Sequence, residues 1–501
     1  MKNNDKILFW ISGALTSFCI AYYLQKKINA DFFAIIDSYD KPKLFFKNQS
    51  LVKFKQSWFY HDQFQNIKKP DVEYLSNFEK KYEINLWELA INERIFYKFN
   101  EVYKFSSDEI LSILERECKL FDEILTQTNP DFLIMLESTL HQQELFYKMC
   151  KKNGVKILLL NEPNISRCII SENPRKLDEE IDLDKIASTN RNFDELRSYR
   201  KSVNSFNAIQ NYRNKFKVSN MELLKSSLKF LSSENQHIKT HYTHRGRTKL
   251  DVLKDESTKK LRRKRRYSFI ENNLETKIKS DEKFIYFPMA VDEERNLLIA
   301  APYYTNQLEI IRHIAKSLPI GFKLYVKENP NQKIRYWRDI EEYKAIMAIP
   351  NVSLFHPNVP AETLFQHCSL VISIGGSSGL DAAFYEKPSI IFTDLGYSVL
   401  PSVSRINSVT ELSRIIRESL LKKVNSEDLD KYLTTIHNNS FDFTIAEFEN
   451  KYNEFFYNDG HYLSVDIPES KMSDFLEENK MVLDKVATEY EKKIDSFKPR
   501  N

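Results

Sequence analysis

Val371–Phe392 reads VISIGGSSGLDAAFYEKPSIIF, and the order of its parts decides the fold. An apolar run is followed by Gly375-Gly376-Ser377-Ser378-Gly379, a helix-forming segment, a Lys387-Pro388 break and a second apolar run. Strand, turn, helix and strand in that order make the unit from which parallel sheets are built. The turn falls where a strand feeds a helix N-terminus, whose unpaired N–H groups and partial positive charge favour an anion. Small residues let the anion approach, and the hydroxyls of Ser377 and Ser378 add hydrogen bonds. Asp381 lies one helical turn further on, where a carboxylate reaches a ribose hydroxyl. The stretch reads as a phosphate cradle. Its plainer alternative is a strand-to-helix turn that binds nothing.

Composition narrows the field. The chain has 501 residues, enough for two to four domains with buried cores. Hydrophobic residues make up 42% and charged residues 29%, as in ordinary globular proteins. Only 9 residues are glycine, so three within five positions is a marked concentration. A net charge of +4 argues against a whole-chain nucleic-acid binder. Five scattered cysteines without a CxxC pair point to reduced thiols in a cytoplasmic protein, with neither a disulfide framework nor a zinc site.

Ile7–Leu24 is uncharged for 18 residues, the length of a membrane span, and it also resembles the apolar part of a signal peptide. Ser12, Gly13, Thr16 and Ser17 divide it. The favoured reading is a strand at Lys6–Ile11, a helix at Phe18–Asn29 and a parallel strand at Asp31–Asp37. The alternation continues with a helix at Asp108–Gln127, a strand at Asp131–Leu136, a helix at Gln142–Lys152 closed by Asn153-Gly154, and a strand at Val155–Leu160. Ligands of parallel sheets sit at strand C-termini. Here those ends carry Asp37, Glu137 with His141, and Glu162.

From about Glu172 to Asp281 no strand is evident, and helical stretches are expected around Asn204–Phe216 and Asn220–Leu231. Lys259–Arg266, KKLRRKRR, has seven basic residues in eight. A solvated helical linker is the bland reading, and peripheral contact with anionic lipid headgroups the sharper one. His237, His241 and His244 lack a completing carboxylate or thiol and read as solvated rather than metal-binding. Strands resume at Lys283, with KFIYFP, FKLYVK, NVSLF and the glycine-turn unit, separated by helices such as Asn306–Leu318.

The order FIYFP, Gln307, LYVKENP, NVSLFHP, VISIGGSSGLDAAFYEKPSIIF and LPSVSRI resembles the capsular polysaccharide biosynthesis proteins. The resemblance is best over about Phe284–Ile406. It implies an α/β, GT-B-like fold, with two Rossmann-like domains facing a cleft and a helical charged insertion between them. The divisions expected are an acceptor domain over 1–171, the insertion over 172–281, a nucleotide-sugar domain over 282–439, and C-terminal helices over 440–501. The last helices are expected to pack back on the first domain through Phe475, Met481, Leu483, Val486 and Tyr490.

The resemblance also implies a nucleotide sugar as donor, CMP- or UDP-linked, and a glycan or lipid-linked glycan as acceptor. Its donor-holding positions fall on Lys327, Asn329, Pro330, Ser377 and Ser378. Asn329 stands where relatives carry His, and Met289-Ala290 where they carry Leu-His, so an altered donor or a degenerate enzyme is the alternative. The residues themselves add Gly376, Gly379, Asp381, His356 and Tyr397 as donor-binding candidates, with Arg405 behind them. Transfer of a glycosyl group needs positive potential on the departing phosphate and a base for the acceptor. Glu137 and His141 are the candidate bases, with Glu162 and Asp37 next. No DxD-type motif stands at a strand end, so no obligatory metal or cofactor is expected. A non-catalytic scaffold and a sugar-nucleotide epimerase are the competing functions.

Overall fold

A computed structural model describes residues 4–38, 40–64, 68–100, 102–163, 165–203, 248–279, 281–456 and 466–498, together with residues 228, 231, 242 and 245. The stretches Asn204–Phe216 and Asn220–Leu231, apart from residues 228 and 231, lie outside the described residues, as do His237, His241 and His244.

Among the described residues two six-stranded sheets organise the fold. The first contains β1 (Asp5–Ser12), β2 (Ala30–Asp37), β3 (Phe54–Phe59), β4 (Phe132–Leu136), β5 (Lys156–Asn161) and β6 (Ile169–Ser171). The second contains β7 (Lys283–Pro288), β8 (Phe322–Lys327), β9 (Val352–Phe355), β10 (Leu370–Ser373), β11 (Ser389–Ile391) and β12 (Val403–Arg405). Their orders are β3-β2-β1-β4-β5-β6 and β12-β11-β10-β7-β8-β9, so each runs 3-2-1-4-5-6 within its own half. That is the doubly wound order of a Rossmann-like domain. Every pairing is parallel except that of β6 on β5.

Burial on both faces explains the continuous apolar strands. In β1, Ile7, Phe9 and Ile11 enter one core, while Leu8 and Trp10 enter the opposite one. The division of Ile7–Leu24 follows expectation: strand to Ser12, a turn, then helix Thr16–Leu24. Among the described residues no helix is long and apolar enough to cross a membrane. All five cysteines are buried as free thiols.

The edge strands β3, β6 and β12 are absent from the sequence reading. β3 is FKQSWF, half exposed, and the other two are three residues each. None carries the long apolar run that marks a central strand.

The chain between the sheets is shared out. Helix Phe193–Ser202 places Leu196 against Leu380, Phe384 and Tyr397 of the second half. Helix Lys249–Asn273 seats Ile270 in the core beneath the second sheet. Helices Ile445–Phe456, Glu469–Glu478 and Lys480–Ser496 return to helix Thr16–Leu24 and share its core. Phe475, Leu483, Val486 and Tyr490 are buried there. Met481, expected in the same stripe, is 85% exposed, and Met472, Ala487 and Ile494 are buried instead. The reason is a boundary: helix Glu469–Glu478 ends at Asn479 and a new helix begins, so the helical phase across Met481 is not that of one continuous helix.

Ile494 is fully buried. Ile494→Ala is therefore expected to cost roughly 2–4 kcal/mol in denaturant unfolding, and Met481→Ala less than about 0.5 kcal/mol.

Candidate functional site

The order of each sheet reverses between its first and fourth strands, opening a crevice at the strand C-termini. In the second sheet that point lies between β7 and β10, and the glycine turn follows β10 directly. Gly376 sits at φ 88°, a left-handed conformation costly for a side chain. A Cβ on Gly379 would lie 2.8 Å from Tyr397 Oη and 2.9 Å from Ile391, so only glycine lets the helix pack this closely on β11. Helix Ser378–Phe384 starts after Ser377, whose side chain makes no cap. Among the described residues neither the Ser377 nor the Ser378 hydroxyl has a hydrogen-bond partner.

Lys327 ends β8, two strands from β10, roughly 10 Å away by strand spacing. It is 7% exposed, and its ammonium has no hydrogen bond or ion pair among the described residues. Burial pulls its ammonium down to about 8, with Glu328 acting in the other direction.

In the first sheet the reversal lies between β1 and β4, and Glu137 follows β4. Its carboxylate takes the Arg175 guanidinium at 3.0 and 3.2 Å on one oxygen and Arg295 Nη1 at 3.0 Å on the other. Arg295 opens the short helix that follows β7, so this cluster ties the two halves together. Arg175 also donates to Asn296 Oδ1 at 3.0 Å. The Asn296 amide nitrogen lies 3.6 Å from the position a Cβ on Gly376 would take. Glu137, Arg175, Arg295, Asn296 and the glycine turn thus share one crevice. Further ties across it run from Arg94 to the Glu293 carbonyl, 2.6 Å, and from Asn92 to the Pro302 carbonyl, 3.2 Å.

The cationic members Arg175 and Arg295, with Asn296, escaped the sequence reading. Arg175 lies in a loop and Arg295 and Asn296 in a four-residue helix, none within a motif, and only folding places them beside the turn.

Several predicted residues have other employment. His141 is buried, with Nδ1 2.8 Å from Glu93 and Nε2 3.0 Å from Glu117. Burial disfavours its charge, but Glu117 and Glu93 outweigh that and lift the imidazole to about 10. A histidine already protonated, with both nitrogens engaged, is a poor general base. It is a charged strut in a polar core where Tyr60 donates to Glu117 and lies 3.3 Å from Tyr242 Oη. Glu137 does reach the crevice, but both oxygens face guanidinium groups, which suits an anchor better than a base.

Tyr397 is fully buried and donates to the Gly376 carbonyl at 2.6 Å, so it buttresses the turn and cannot stack on a base. Asp381 pairs with Arg200 at 2.8 Å and pins helix Phe193–Ser202. Asn329 donates to the Met289 carbonyl at 3.2 Å and accepts from Asn331 N–H at 3.0 Å, capping the 3-10 turn that Pro330 begins. His356 accepts from Asn358 N–H and meets Glu271 at 3.2 Å. These four side chains hold loops in place. Asn329 and His356 each bond a backbone N–H two residues on, while the other partners lie 21 to 181 residues away in sequence.

Other candidates are similarly occupied. Glu162 accepts from Ile445 N–H at 2.9 Å, and burial raises it to about 7 despite that bond. Asp37 is 2.8 Å from His61 Nε2. Arg405 faces Asp394 at 3.4 Å. The loop after β7 is rigid, because Gln307 holds both backbone groups of Ala290 and the side chain of Asp292. Arg338, fully buried, pairs with Asp292 and with Glu328 at 2.8 Å. Glu328 in turn accepts from Asn329 N–H at 2.6 Å. The Lys-Glu-Asn-Pro segment is therefore fixed by a buried ion pair, leaving Lys327 as its one uncommitted charge among the described residues.

A depression of about 600 Å³ lies elsewhere, between helix Phe193–Ser202 and Glu362, Tyr385 and Lys387. It is at the other end of helix Ser378–Phe384 from the turn, and its opposing charges pair with one another.

Fold and site together define a GT-B-like α/β protein of two Rossmann-like halves. A family model described as capsule polysaccharide biosynthesis protein matches residues 193–401, starting at the helix that Asp381 anchors. The match bears out the resemblance over that segment, which is less than half of the chain. No curated protein matches the chain. Solved structures similar to it include the UDP-GlcNAc 2-epimerase of Methanocaldococcus jannaschii in complex with UDP-GlcNAc and UDP. It is 11% identical, over 86% of this chain and 99% of that one, at a TM-score of 0.24. The beta Kdo 2,7 transferase KpsC of Thermosulfurimonas dismutans is 13% identical, over 71% and 98%, at 0.29. These are low-scoring likenesses of chain course, and the fold rests on the strand orders above.

The His141 strut has a pH signature. Its pKa is higher folded than unfolded, so its contribution to stability is complete below about 6.5 and is lost as pH rises through about 10. Denaturant unfolding of the native chain is expected to lose stability over that window. His141→Gln, less stable at pH 6, is expected to lack most of that slope.

Proposed function

We propose that the chain is a glycosyltransferase that uses a nucleotide-activated sugar, CMP- or UDP-linked, in capsule or surface polysaccharide biosynthesis. The observation that carries this reading is the glycine turn at the switch point of the second sheet, faced by Arg175, Arg295 and Asn296. The family match over 193–401 supports it from the sequence side.

In this reading the donor phosphate lies on the backbone N–H groups of the turn and on the Ser377 and Ser378 hydroxyls. Charge grows on that phosphate as the glycosidic bond breaks, and preorganised donors in a crevice stabilise it most. Lys327, Arg175 and Arg295 supply positive potential, and Asn296 a neutral donor. Because side chains provide the positive potential, this reading calls for no obligatory metal. The acceptor, a glycan or lipid-linked glycan, comes from the first half, across the crevice. With His141 protonated and Glu137 paired, neither is assigned as the acceptor's base.

A second reading has one observation behind it. Asp381, Asn329, His356 and Tyr397 all spend polar atoms on the protein itself. A non-catalytic assembly protein with a residual nucleotide site would look the same at those positions.

Calorimetry with CMP, UDP, CDP and GDP separates the readings when paired with a turnover assay. One nucleotide is expected to bind at micromolar concentration. Ser377→Ala/Ser378→Ala is expected to weaken it at least about tenfold, since hydrogen bonds to charged groups contribute roughly 1.5–3 kcal/mol each. Binding without sugar transfer favours the assembly protein, and no binding by any of the four defeats the nucleotide-sugar reading.

Lys327 adds a pH test. Its ammonium is charged below about 8 and neutral above, so nucleotide affinity is expected to fall as pH rises through that value. Lys327→Met is expected to bind more weakly at pH 7 and to lose that limb of the titration.

A further inference from the structure

We infer that the outer face of helix Lys249–Asn273 docks on an anionic lipid surface, with Leu250 and Leu261 entering the bilayer interface among basic side chains. The helix has 25 residues, about 37 Å long at 1.5 Å per residue. Its inner face is fully employed. Ile270 lies in the core, Arg266 donates to the Tyr336 and Trp337 carbonyls at 3.3 and 2.9 Å, and Glu271 meets His356.

Among the described residues the stripe through Leu250 and Leu261 has no partner, while Lys249 beside it donates to the Leu231 carbonyl at 2.8 Å. Leu250 is 73% exposed and Leu261 76%. Eleven residues apart, they stand three turns from each other on one side of the helix. Lys254, Lys264 and Arg265 are exposed on and beside the same stripe, without partners among the described residues.

Charge accounting favours an anionic surface. The helix carries nine Lys and Arg against four Asp and Glu. Each of the four acids has a local task. Asp251 meets the N-cap Thr248, Asp255 pairs with Lys259, Glu256 accepts from Tyr336, and Glu271 faces His356. Lys249, Lys260 and Arg262 have partners of their own, Lys259 pairs with Asp255 and Arg266 lies on the inner side, so Lys254, Lys264 and Arg265 are the cations left on the exposed stripe.

A soluble polyanion would match the charge but leave both leucines in water. A bilayer surface takes both, since an interfacial helix buries apolar side chains at the headgroup boundary while its cations meet anionic lipid. The inner contacts, to loops that follow β8 and β9, lie at the sheet edge that carries the glycine turn, so docking holds that edge beside the membrane. The inference rests on this helix alone and stands or falls apart from glycosyl transfer.

The test is sedimentation of the full chain with phosphatidylcholine vesicles and with the same vesicles enriched in phosphatidylglycerol. Binding is expected only to the anionic vesicles and is expected to weaken with salt. Lys254→Glu/Lys264→Glu/Arg265→Glu should lower the partition constant at least about 100-fold, at about 1 kcal/mol per charge near the surface. Leu250→Ser/Leu261→Ser keeps the charge and is expected to lower it at least about tenfold. Unchanged thermal unfolding of both variants checks that the fold is intact. Equal binding to neutral vesicles, or no binding to either, overturns the inference. So does full binding by the leucine variant with dextran sulfate competing, which marks a polyanion site instead.

Discussion

One carboxylate between two guanidinium groups sets the relation of the two halves. Glu137, at the end of β4, holds Arg175 from its own half and Arg295 from the other. The three side chains are between 11% and 21% exposed, so little water screens them. Burial alone pulls the Arg295 guanidinium down, and Glu137 acts against that. Without the carboxylate two cations would face each other unpaired, a situation that typically costs about 3–5 kcal/mol in a buried pair. The three side chains carry two positive charges and one negative, a cluster of net positive charge. The arrangement that joins the halves thus also tunes the crevice for an anion.

The position of that cluster follows from topology. Both sheets run in the same order, and each reverses direction of winding at one point. In each sheet the loops after the first and fourth strands diverge there; the loop after β4 bears Glu137 and the loop after β10 the glycine turn. Around the turn the protein is rigid: Tyr397 holds the Gly376 carbonyl, Gly379 lets the helix close on β11, and the Glu328–Arg338 pair fixes the loop after β8. Rigid surroundings matter because preorganised donors need no rearrangement as charge develops.

The central strands were legible because parallel strands buried on both faces must be continuously apolar, and the glycine turn because so few glycines occur elsewhere. The edge strands β3, β6 and β12 were not, being short or half exposed. For the site, the sequence identified Glu137, Lys327 and the Ser377-Ser378 turn as residues at strand ends, and they lie at the C-terminal edges of their sheets. It gave no sign of Arg175, Arg295 or Asn296, whose importance arises from contacts 38 to 158 residues apart in sequence. It misread His141, Tyr397 and Asp381 for the same reason. A histidine after a strand suggests a base until the carboxylates that sandwich it are known. An aspartate in the first turn of a helix suggests a ribose ligand until Arg200 is found on it.

The central claim is that an anionic nucleotide phosphate sits on the Gly375–Gly379 turn beneath Arg175 and Arg295. A crystal structure of the chain with the nucleoside phosphate that binds most tightly tests it most directly. Phosphate density is expected within hydrogen-bond distance of the turn's backbone N–H groups and the Ser377 or Ser378 hydroxyl. A nucleotide found only in the depression beside helix Phe193–Ser202, with the turn empty, would contradict it.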